Sequence, residues 1–531
     1  MKRESTQYTL HLIERLTKIG VALSAERDLA RLLELIIDEA RNLTSADGGA
    51  LYIMSDDGQY LDFAIIQNKS LGVRMGGTGG KINWPPVRLA DGQNNRNLAN
   101  VSAYAALTGE VVSITDVYNA AGFNFEGTRE FDARTGYRSK SMLVVPMRNH
   151  EQEIIGVLQL LNAVDEGTNE VIAFSRESQM ITESFASQAA VALSQNRLIQ
   201  DLENLLDAFV KTIALAVDEK SPYTGGHIRR VADITMAIAE KINKADEGPF
   251  SHVQFNDDQM KELRFAAWLH DLGKITTPEY VVDKATKLET IFDRMELVRA
   301  RGEIVMRDHE CISLRKSSEA DQEANTSRNS EEDFANRLRE DMKFIADVNT
   351  GAIPLGREDL ARLQEIGARK LVCDGRTETF LTENELHNLS VQRGTLTDQE
   401  RDIINNHAAV THKLLSQLPF SKKLKNVPDY AACHHEKLNG SGYPRGLKED
   451  EISLQARILA MADIFEALTA KDRPYKRANT ISEAISILSG MVKARHIDAD
   501  IFKLFMDEKI YLDYARREMN PQQIDDTDLS A

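Results

Sequence analysis

The sequence predicts a multidomain protein in which an α+β domain, a helical connector and an all-α domain with a helical insert follow one another. Three observations support this fold class. The chain has 531 residues, more than one hydrophobic core normally serves. Strand-like and helix-like segments alternate over residues 10–175, and helical spacing dominates from there to the end. We place the connector at 176–220 and the all-α domain at 221–531, with the insert at about 287–395.

The first domain mixes helices and strands. Residues 29–43 (LARLLELIIDEARNL) carry apolar residues at helical spacing with charges on the opposite face, which predicts an amphipathic helix. Three short segments rich in apolar and β-branched residues, GALYIM, SMLVVPM and EIIGVLQLL, are predicted strands. Strands flanked by helices at both ends predict an α+β domain.

Residues that are apolar except for one asparagine recur in the connector at alternating steps of four and three, with one shorter step in the middle. They are Phe185, Ala189, Ala192, Asn196, Ile199, Leu202, Leu206, Phe209 and Ile213. This heptad-like seam with a register break predicts a parallel two-helix connector and therefore a homodimer. The alternative is a single amphipathic helix that packs on its own domain.

The insert separates two clusters of motifs in the all-α domain. Residues 314–340 (LRKSSEADQEANTSRNSEEDFANRLRE) are charged and polar with a single aromatic residue. Such a segment buries little apolar surface. We interpret it as the flexible tip of an inserted helical subdomain.

Bulk composition excludes several classes of protein. The formal net charge of -17 argues against a general nucleic-acid binder, although a local basic cluster can still hold a small anion. The three cysteines, Cys311, Cys373 and Cys433, lack CxxC spacing and predict neither a disulfide framework nor a thiolate zinc site. The N-terminus lacks an apolar signal segment, and no stretch approaches the roughly 18 apolar residues of a membrane span. We expect a cytoplasmic protein with no membrane partner.

Histidine and aspartate residues form a candidate metal constellation. Two adjacent pairs stand out: His270–Asp271 in WLHDLGK and His434–His435 in CHHEKLNGSGYP. Adjacent side chains on a helix diverge by about 100°, so such a pair rarely serves one packing purpose but can address two neighbouring metal ions. Imidazoles and carboxylates without thiolate make a mixed nitrogen and oxygen site. Such a site suits iron or manganese, with zinc as the alternative.

The motifs also occur in a recognisable order. HDLGK, the distant His407, HHEKLNGSGYP, ADIFEALT with Asp463, and RPYK resemble the HD-GYP phosphodiesterases over about 205–286 and 396–490. The resemblance implies an all-α domain with a metal centre that hydrolyses cyclic di-GMP to pGpG and often on to GMP. Two alternatives stay open: a catalytically weak adaptor that binds a cyclic dinucleotide, or a phosphohydrolase for another one such as cyclic GMP-AMP.

The resemblance assigns roles to individual residues around two divalent metal ions. One ion would take His227, His270, Asp271 and Asp463. The other would take His407, His434 and His435, with Asp271 as the bridge. Asp271 and Lys274 would be the catalytic residues. The substrate would be bound by Arg473, Lys476, Gly442 and Tyr443.

Four positions depart from the family pattern. Asn439 and Glu466 stand where aspartate is common, and Thr411 occupies a usual glycine position. Some members hold a third ion with a glutamate four residues before the first histidine ligand, and here that position is Tyr223. A neutral phenol is a poor ligand because its pKa lies near 10. We therefore expect two ions and not three.

The first domain has a resemblance of its own. FNFEGTREFDARTGYRSKSMLVVPM followed by IIGVLQLLNA is similar to GAF domains, especially those that bind cyclic nucleotides. This implies a sensor domain that regulates the enzyme, with a cyclic nucleotide as its small-molecule ligand. Those domains often carry an Asn-Lys pair, but Asn162 is followed by Ala163. The alternative is a GAF fold that only dimerises.

Overall fold

The chain forms two compact units, Met1–Leu206 and Asp207–Ala531. The computed structural model describes residues 2–91, 95–220, 225–319, 324–373, 376–471 and 478–525. None of the helices in these ranges combines the length and the apolar character that crossing a membrane requires.

Unit 1 is built on one antiparallel sheet. Its strands are β1 (Ala46–Met54), β2 (Tyr60–Asn68), β3 (Val73–Gly76), β4 (Val87–Arg88), β5 (Val112–Ile114), β6 (Met142–Arg148), β7 (Ile154–Val164) and β8 (Val171–Ile172). The order is β3-β2-β1-β7-β6-β5, with β4 paired to β2 and β8 to β7. The three strands predicted from the sequence are β1, β6 and β7, and all three are confirmed.

Helices cover the sheet of unit 1. They are α1 (Lys2–Ala25), α2 (Leu29–Thr44), α3 (Val101–Thr108), α4 (Glu126–Thr135) and the first part of α5 (Arg176–Asp218). The Asp28 carboxylate accepts a hydrogen bond from the Arg31 amide and so begins α2, the predicted amphipathic helix. Ile36 of α2 and Phe185 of α5 share one buried core with the sheet, and Val101 of α3 belongs to a second. The predicted α+β architecture is confirmed.

The seam predicted along α5 divides into two parts. Phe185, Ala189 and Ala192 are buried in the core of their own unit, so the alternative of intramolecular packing holds for this part. The Asn196 side chain donates to the Arg27 carbonyl oxygen. Further along the seam, Ile199, Leu202, Leu206 and Phe209 are exposed, with Leu202 56% accessible.

Unit 2 is mostly helical. Its further helices are α6 (His227–Asn243), α7 (Asp257–Leu269), α8 (Glu279–Val282), α9 (Met295–Glu319), α10 (Ala324–Asn349), α11 (Arg357–Gly367), α12 (Glu383–Leu389), α13 (Asp398–Leu415), α14 (Val427–Ala432), α15 (Leu454–Thr469), α16 (Ile481–Lys493), α17 (Ala499–Asp507) and α18 (Ile510–Glu518). A short antiparallel pair, β9 (Lys370–Cys373) and β10 (Arg376–Thr379), was not predicted. The largest core joins α6, α7 and α15 to the three C-terminal helices and includes Ile238, Phe465 and Phe505.

The predicted insert has a hydrophobic core of its own, with Leu288, Ile345 and Phe380 fully or almost fully buried. Its two ends lie side by side. The Lys287 ammonium group donates to the Val391 carbonyl oxygen at 2.7 Å, and the Thr395 hydroxyl donates to the Lys284 carbonyl oxygen at 3.0 Å. The predicted flexible tip contains residues 320–323, which lie outside the described residues, between α9 and α10.

Candidate metal centre

Five helices of unit 2 bring the seven predicted metal ligands together. The seven ligands are His227 at the start of α6, His270 and Asp271 directly after α7, His407 within α13, His434 and His435 after α14, and Asp463 within α15. The ligand atoms form two groups able to hold a metal ion, each with all its atoms within 4.8 Å of one another. One group is His227, His270 and Asp271, and the other is His407, His434 and His435.

The first group surrounds one oxygen of Asp271. The Nε2 atoms of His227 and His270 lie 3.5 and 3.4 Å from Asp271 Oδ2. The same two nitrogens lie 3.4 and 3.8 Å from Asp463 Oδ1. Four predicted ligands of one ion therefore converge on one point.

The second group faces the other oxygen of Asp271. His407 Nε2 lies 3.3 Å from Asp271 Oδ1 and 3.5 Å from His434 Nε2. His435 Nδ1 lies 3.9 Å from Asp463 Oδ2. Because Oδ1 and Oδ2 of Asp271 face different groups, its carboxylate has the orientation that a bridging ligand needs.

Backbone carbonyl groups fix the tautomers of three histidines. The Nδ1 atoms of His270, His407 and His434 lie 2.8, 2.6 and 2.5 Å from the carbonyl oxygen three residues earlier. A carbonyl oxygen only accepts, so each Nδ1 carries the proton and each Nε2 directs a lone pair into the cluster. His270 Nε2 is buried and has no hydrogen-bond partner among the described residues. A buried acceptor in this position fits a metal ligand.

The electrostatics of the cluster also fit a bound cation. Burial raises the pKa of Asp271, but Lys274 and the neighbouring histidines outweigh it and hold the pKa well below its usual value. Burial lowers the pKa of His435 to about 4 and that of His434 well below its usual value. At neutral pH the cluster therefore presents an ionised Asp271 together with unprotonated His434 and His435, the forms that bind metals. His227 differs, because burial lowers its pKa but the Glu466, Asp271 and Asp463 carboxylates outweigh burial and raise the pKa well above its usual value, so a metal bound there would displace a proton. This chemistry fits a metal with nitrogen and oxygen ligands.

Glu466 holds His227 in place from behind. It is fully buried on α15, one turn after Asp463, and its carboxylate accepts a hydrogen bond from His227 Nδ1. The Arg230 Nε atom donates to the other oxygen of Glu466 at 2.7 Å. His227 Nε2 is thereby aimed at the two aspartates. The sequence pattern marked Glu466 only as a departure from aspartate.

Thr411 joins two of the ligand-bearing elements. Its hydroxyl donates to the His270 carbonyl oxygen at 3.0 Å and accepts from the Gly273 amide at 2.8 Å. A side chain at Gly273 would collide with the His407 carbonyl oxygen, since a Cβ atom there would lie 1.9 Å away. This close approach places His407 beside Asp271. Thr411 is thus built into the centre where the family often has glycine.

The remaining predicted site residues lie on the accessible side of the centre. Lys274 Nζ lies 2.5 Å from Asp271 Oδ2, and its side chain is 28% exposed. The Tyr443 ring lies 4.8 Å from the His435 ring. Gly442 passes so close to the backbone of residues 436–437 that a Cβ atom would collide with it. Its lack of a side chain serves the loop itself, and contact with substrate stays a prediction.

Three residues of the sequence-based hypothesis lie outside the described residues. They are Arg473 and Lys476, predicted to bind substrate, and Tyr223, predicted to exclude a third ion.

In unit 1, Asn162 belongs to a closed hydrogen-bond network. Its Oδ1 atom accepts from the Lys140 and Ser141 amides, and its Nδ2 atom donates to the Tyr137 hydroxyl and the Arg138 carbonyl oxygen. Tyr137 in turn donates to an Asp47 oxygen at 2.7 Å. Asn162 therefore holds the segment before β6, and a cyclic nucleotide ligand for this unit stays a prediction.

Comparison with protein families confirms both predicted resemblances. Residues 28–193 match the GAF domain family, and residues 224–339 and 383–501 match two models of the HD domain. The chain therefore contains a GAF domain followed by a mostly helical HD region. A solved GAF domain from an Acinetobacter phosphoenolpyruvate-protein phosphotransferase aligns at a TM-score of 0.26 and 12% identity, covering 36% of this chain and 98% of its own.

Curated relatives match shorter stretches. The 3'3'-cGAMP-specific phosphodiesterase 3 of Vibrio cholerae is 47% identical over 96 residues, 18% of this chain and 20% of the relative. A cyclic di-GMP phosphodiesterase of Thermotoga maritima is 36% identical over 160 residues, 27% of this chain and 42% of the relative. The 3'3'-cGAMP-specific phosphodiesterase 1 of Vibrio cholerae is 36% identical over 113 residues, 21% of this chain and 25% of the relative. The chain thus matches less than half the length of each of these relatives.

Proposed function

We propose that the chain is a metal-dependent phosphodiesterase that hydrolyses cyclic di-GMP to pGpG and then to GMP. One observation carries the proposal: the two oxygens of Asp271 face two separate groups of potential metal ligands. Paired metal sites stabilise both the attacking and the leaving oxygen of a phosphodiester. The names of the curated relatives support a cyclic dinucleotide as the substrate class.

We further propose two divalent ions, iron or manganese, held as the sequence predicts. Bound there, such ions supply Lewis acidity and a water molecule that ionises near neutral pH. The protein contributes fixed ligands on five helices and a dry environment, since His270, His407 and His434 are at most 1% exposed. Because ferrous iron is readily oxidised, the protein should be purified anaerobically.

Lys274 is the group that we assign to the scissile phosphate. It is partly exposed, carries a positive charge and lies against the Asp271 oxygen that faces the first ligand group. An ammonium group in that position offers a hydrogen bond to an anionic oxygen as charge develops on it. Arg473 and Lys476 are proposed to bind the second phosphate, and Tyr443 to contact the substrate beside His435.

The decisive experiment uses the full chain, purified anaerobically, with its metal content measured. Cyclic di-GMP, 3'3'-cyclic GMP-AMP and cyclic di-AMP are each offered, and the products are separated by chromatography. We expect pGpG and then GMP from cyclic di-GMP, and no turnover after chelation and desalting. Turnover of cyclic GMP-AMP alone would select the alternative substrate, which the names of two relatives favour. Binding without turnover by the metal-loaded protein would select the adaptor.

We also propose that the protein acts in the cytoplasm as a homodimer whose unit 1 controls unit 2. The exposed apolar side chains of α5, among them Leu202, Leu205 and Phe209, support a second copy as their partner. Replacing Leu202 and Leu205 by glutamate should shift the protein from dimer to monomer in sedimentation at micromolar concentration. Val210 faces the core of unit 2, so V210A serves as the control that leaves the dimer intact. A wild-type monomer under these conditions would refute the proposal.

A further inference from the structure

The last turns of α5 pack against the helices that carry metal ligands. Val210 shares a core with Phe265 and Leu269 of α7. Ala214 and Val217 pack against Ile228, the residue after His227. The helical turn continues past Asp218, because the Lys220 amide donates to the Val217 carbonyl oxygen at 3.2 Å. The side chains at this end of α5 therefore have fixed positions relative to the metal centre.

Lys220 binds the turn that follows Asp271. Its Nζ atom donates to three backbone carbonyl oxygens, those of Lys274, Ile275 and Thr277, at 3.0, 2.6 and 2.6 Å. These carbonyl groups end the short 3-10 turn Leu272–Thr276. An ammonium group has three protons to donate, and here each finds an acceptor on one turn. A cation also suits the negative end of a helical turn.

Asp218, a carboxylate that accepts where Lys220 donates, binds the beginning of α6. It is 4% exposed, and its Oδ2 atom accepts from the Ile228 amide at 3.3 Å. The first amides of a helix lack partners within the helix, and a carboxylate there satisfies them and suits the positive end of the dipole. The residue before this amide is His227.

We infer that the end of α5 is a positioning element of the metal centre, in which Asp218 sets His227 and Lys220 sets the Asp271–Lys274 turn. This inference deepens the proposed function and rests on it for its catalytic meaning. Two residues of opposite charge, two positions apart, bind the two elements that supply the first ligand group. A small rotation or shift of α5 changes both contacts together, so the centre responds to the conformation of this helix.

Apolar packing alone does not account for these two residues. Ala214 and Val217 already seat α5 on unit 2, and alanine or leucine at position 218 would bury more apolar surface. Placing a carboxylate in a buried position has a desolvation cost that only a specific partner offsets. Burial raises the pKa of Asp218 to about 6, which reflects that cost. The partners in both contacts are backbone groups of ligand-bearing elements.

The test follows local backbone opening and metal release in the full chain. K220M and D218N keep the shape of the side chain and lose its charge. In hydrogen exchange followed by mass spectrometry, we expect K220M to speed exchange of the Lys274 and Thr277 amides on the order of tenfold, since hydrogen bonds to a charged group are lost. D218N should do the same for the first turn of α6. Both variants should release Mn²⁺ to a chelator on the order of tenfold faster.

Matched controls lie on the same helix. K211M removes a lysine whose Nζ atom lies 6.0 Å from the Trp268 ring, and D207N removes an aspartate paired with Arg264. Neither contacts a ligand-bearing turn in the ways described, so both should keep wild-type exchange there and wild-type metal release. K220R, which keeps the charge and the donors, should recover most of the protection if K220M folds poorly.

Two results would overturn the inference. One is wild-type metal release in both K220M and D218N. The other is faster exchange spread evenly over unit 2, which indicates general destabilisation and no positioning role. Neither readout uses a substrate. The two proposals can therefore fail separately. If K220M and D218N show these effects but the wild-type protein hydrolyses no cyclic dinucleotide, the proposed function is rejected and the positioning role stands.

Discussion

Each unit of the molecule buries a cluster of polar side chains, and the two clusters are satisfied in opposite ways. In unit 1, the Asn162 amide makes four hydrogen bonds, and its partner Tyr137 donates onward to Asp47. In unit 2, the Nε2 atoms of His227, His270 and His407 face carboxylate oxygens at 3.3 to 3.8 Å. In the first cluster each of these polar groups has a hydrogen-bond partner, whereas in the second the buried His270 Nε2 atom has none among the described residues.

This difference separates a structural network from a binding site. Buried polar groups are normally paired, and an unpaired one costs about 1–3 kcal/mol. A network that closes on itself, as around Asn162, stabilises the fold and needs nothing further. A buried nitrogen acceptor without a donor, such as His270 Nε2, is satisfied by a bound cation. Each of the following four predictions changes one residue in or beside one of these clusters. Each variant is compared with a control variant in the same unit or in the other unit.

The largest effect is expected for D271A. Because Asp271 faces both ligand groups, its loss should remove most of the bound metal and reduce hydrolysis to background. Metal content per chain and product formation measure the result. D47A, which removes a buried carboxylate from the closed network of unit 1, should keep the metal content of the wild type. Full activity in D271A would contradict the two-ion proposal.

The next effect is expected for E466Q. The neutral amide cannot serve both His227 and Arg230 as the carboxylate does, so His227 loses its fixed orientation. Loss of such an outer partner typically lowers metal affinity or activity about 10- to 100-fold. Titration with Mn²⁺ measures the affinity. Glu262 is also buried and accepts from the Asn426 amide, away from the centre, so E262Q is the matched control and should bind metal normally.

A smaller effect, on stability alone, is expected for N162A. The substitution leaves the Lys140 and Ser141 amides without their acceptor beside a buried side chain, so the free energy of unfolding of unit 1 should fall by about 3 kcal/mol. Chemical denaturation followed by fluorescence measures it. N119A removes an exposed asparagine bonded to Asp116 and should change stability very little. Loss of metal from unit 2 in N162A would show that the two clusters are not independent.

The smallest effect is expected for T411V. Valine keeps the shape of threonine but removes the hydroxyl that joins the His270 carbonyl oxygen to the Gly273 amide. The free energy of unfolding of unit 2 should fall by about 1 kcal/mol, with slightly faster metal release. T411S keeps the hydroxyl and should resemble the wild type. Equal stability of T411V and T411S would assign Thr411 to packing alone.

The sequence could predict the candidate ligands because they occur in short motifs. Adjacent pairs such as His270–Asp271 and His434–His435 are visible without knowledge of the fold, and the structure brings them together. The strands β1, β6 and β7 were equally visible, since each is a short apolar segment between polar ones. Local composition is sufficient for features of this kind.

Features that depend on tertiary packing could not be predicted in the same way. Glu466 and Thr411 appeared only as departures from a family pattern, and their roles follow from what α6 and α7 place beside them. The connector seam shows the same limit, because the repeat itself does not tell which part packs inside unit 1. The strands β9 and β10 have four residues each and lie between helices, so they are too short to show the alternating apolar pattern that predicts a strand.

The contact between the two ends of the insert affects how unit 2 folds. The entropic cost of closing a flexible loop grows slowly, by about 0.6 kcal/mol for each doubling of its length. Here Thr395 bonds back to Lys284, and Lys284 forms an ion pair with Glu400 on α13 at 2.8 Å. Once the core around Leu288 and Ile345 has formed, the chain from Lys284 to Thr395 behaves as a tight turn between the two halves of the HD region. The insert therefore lengthens the sequence between His270 and His407 but adds little to the entropic cost of bringing them together. The elements that carry these two residues can meet early in folding.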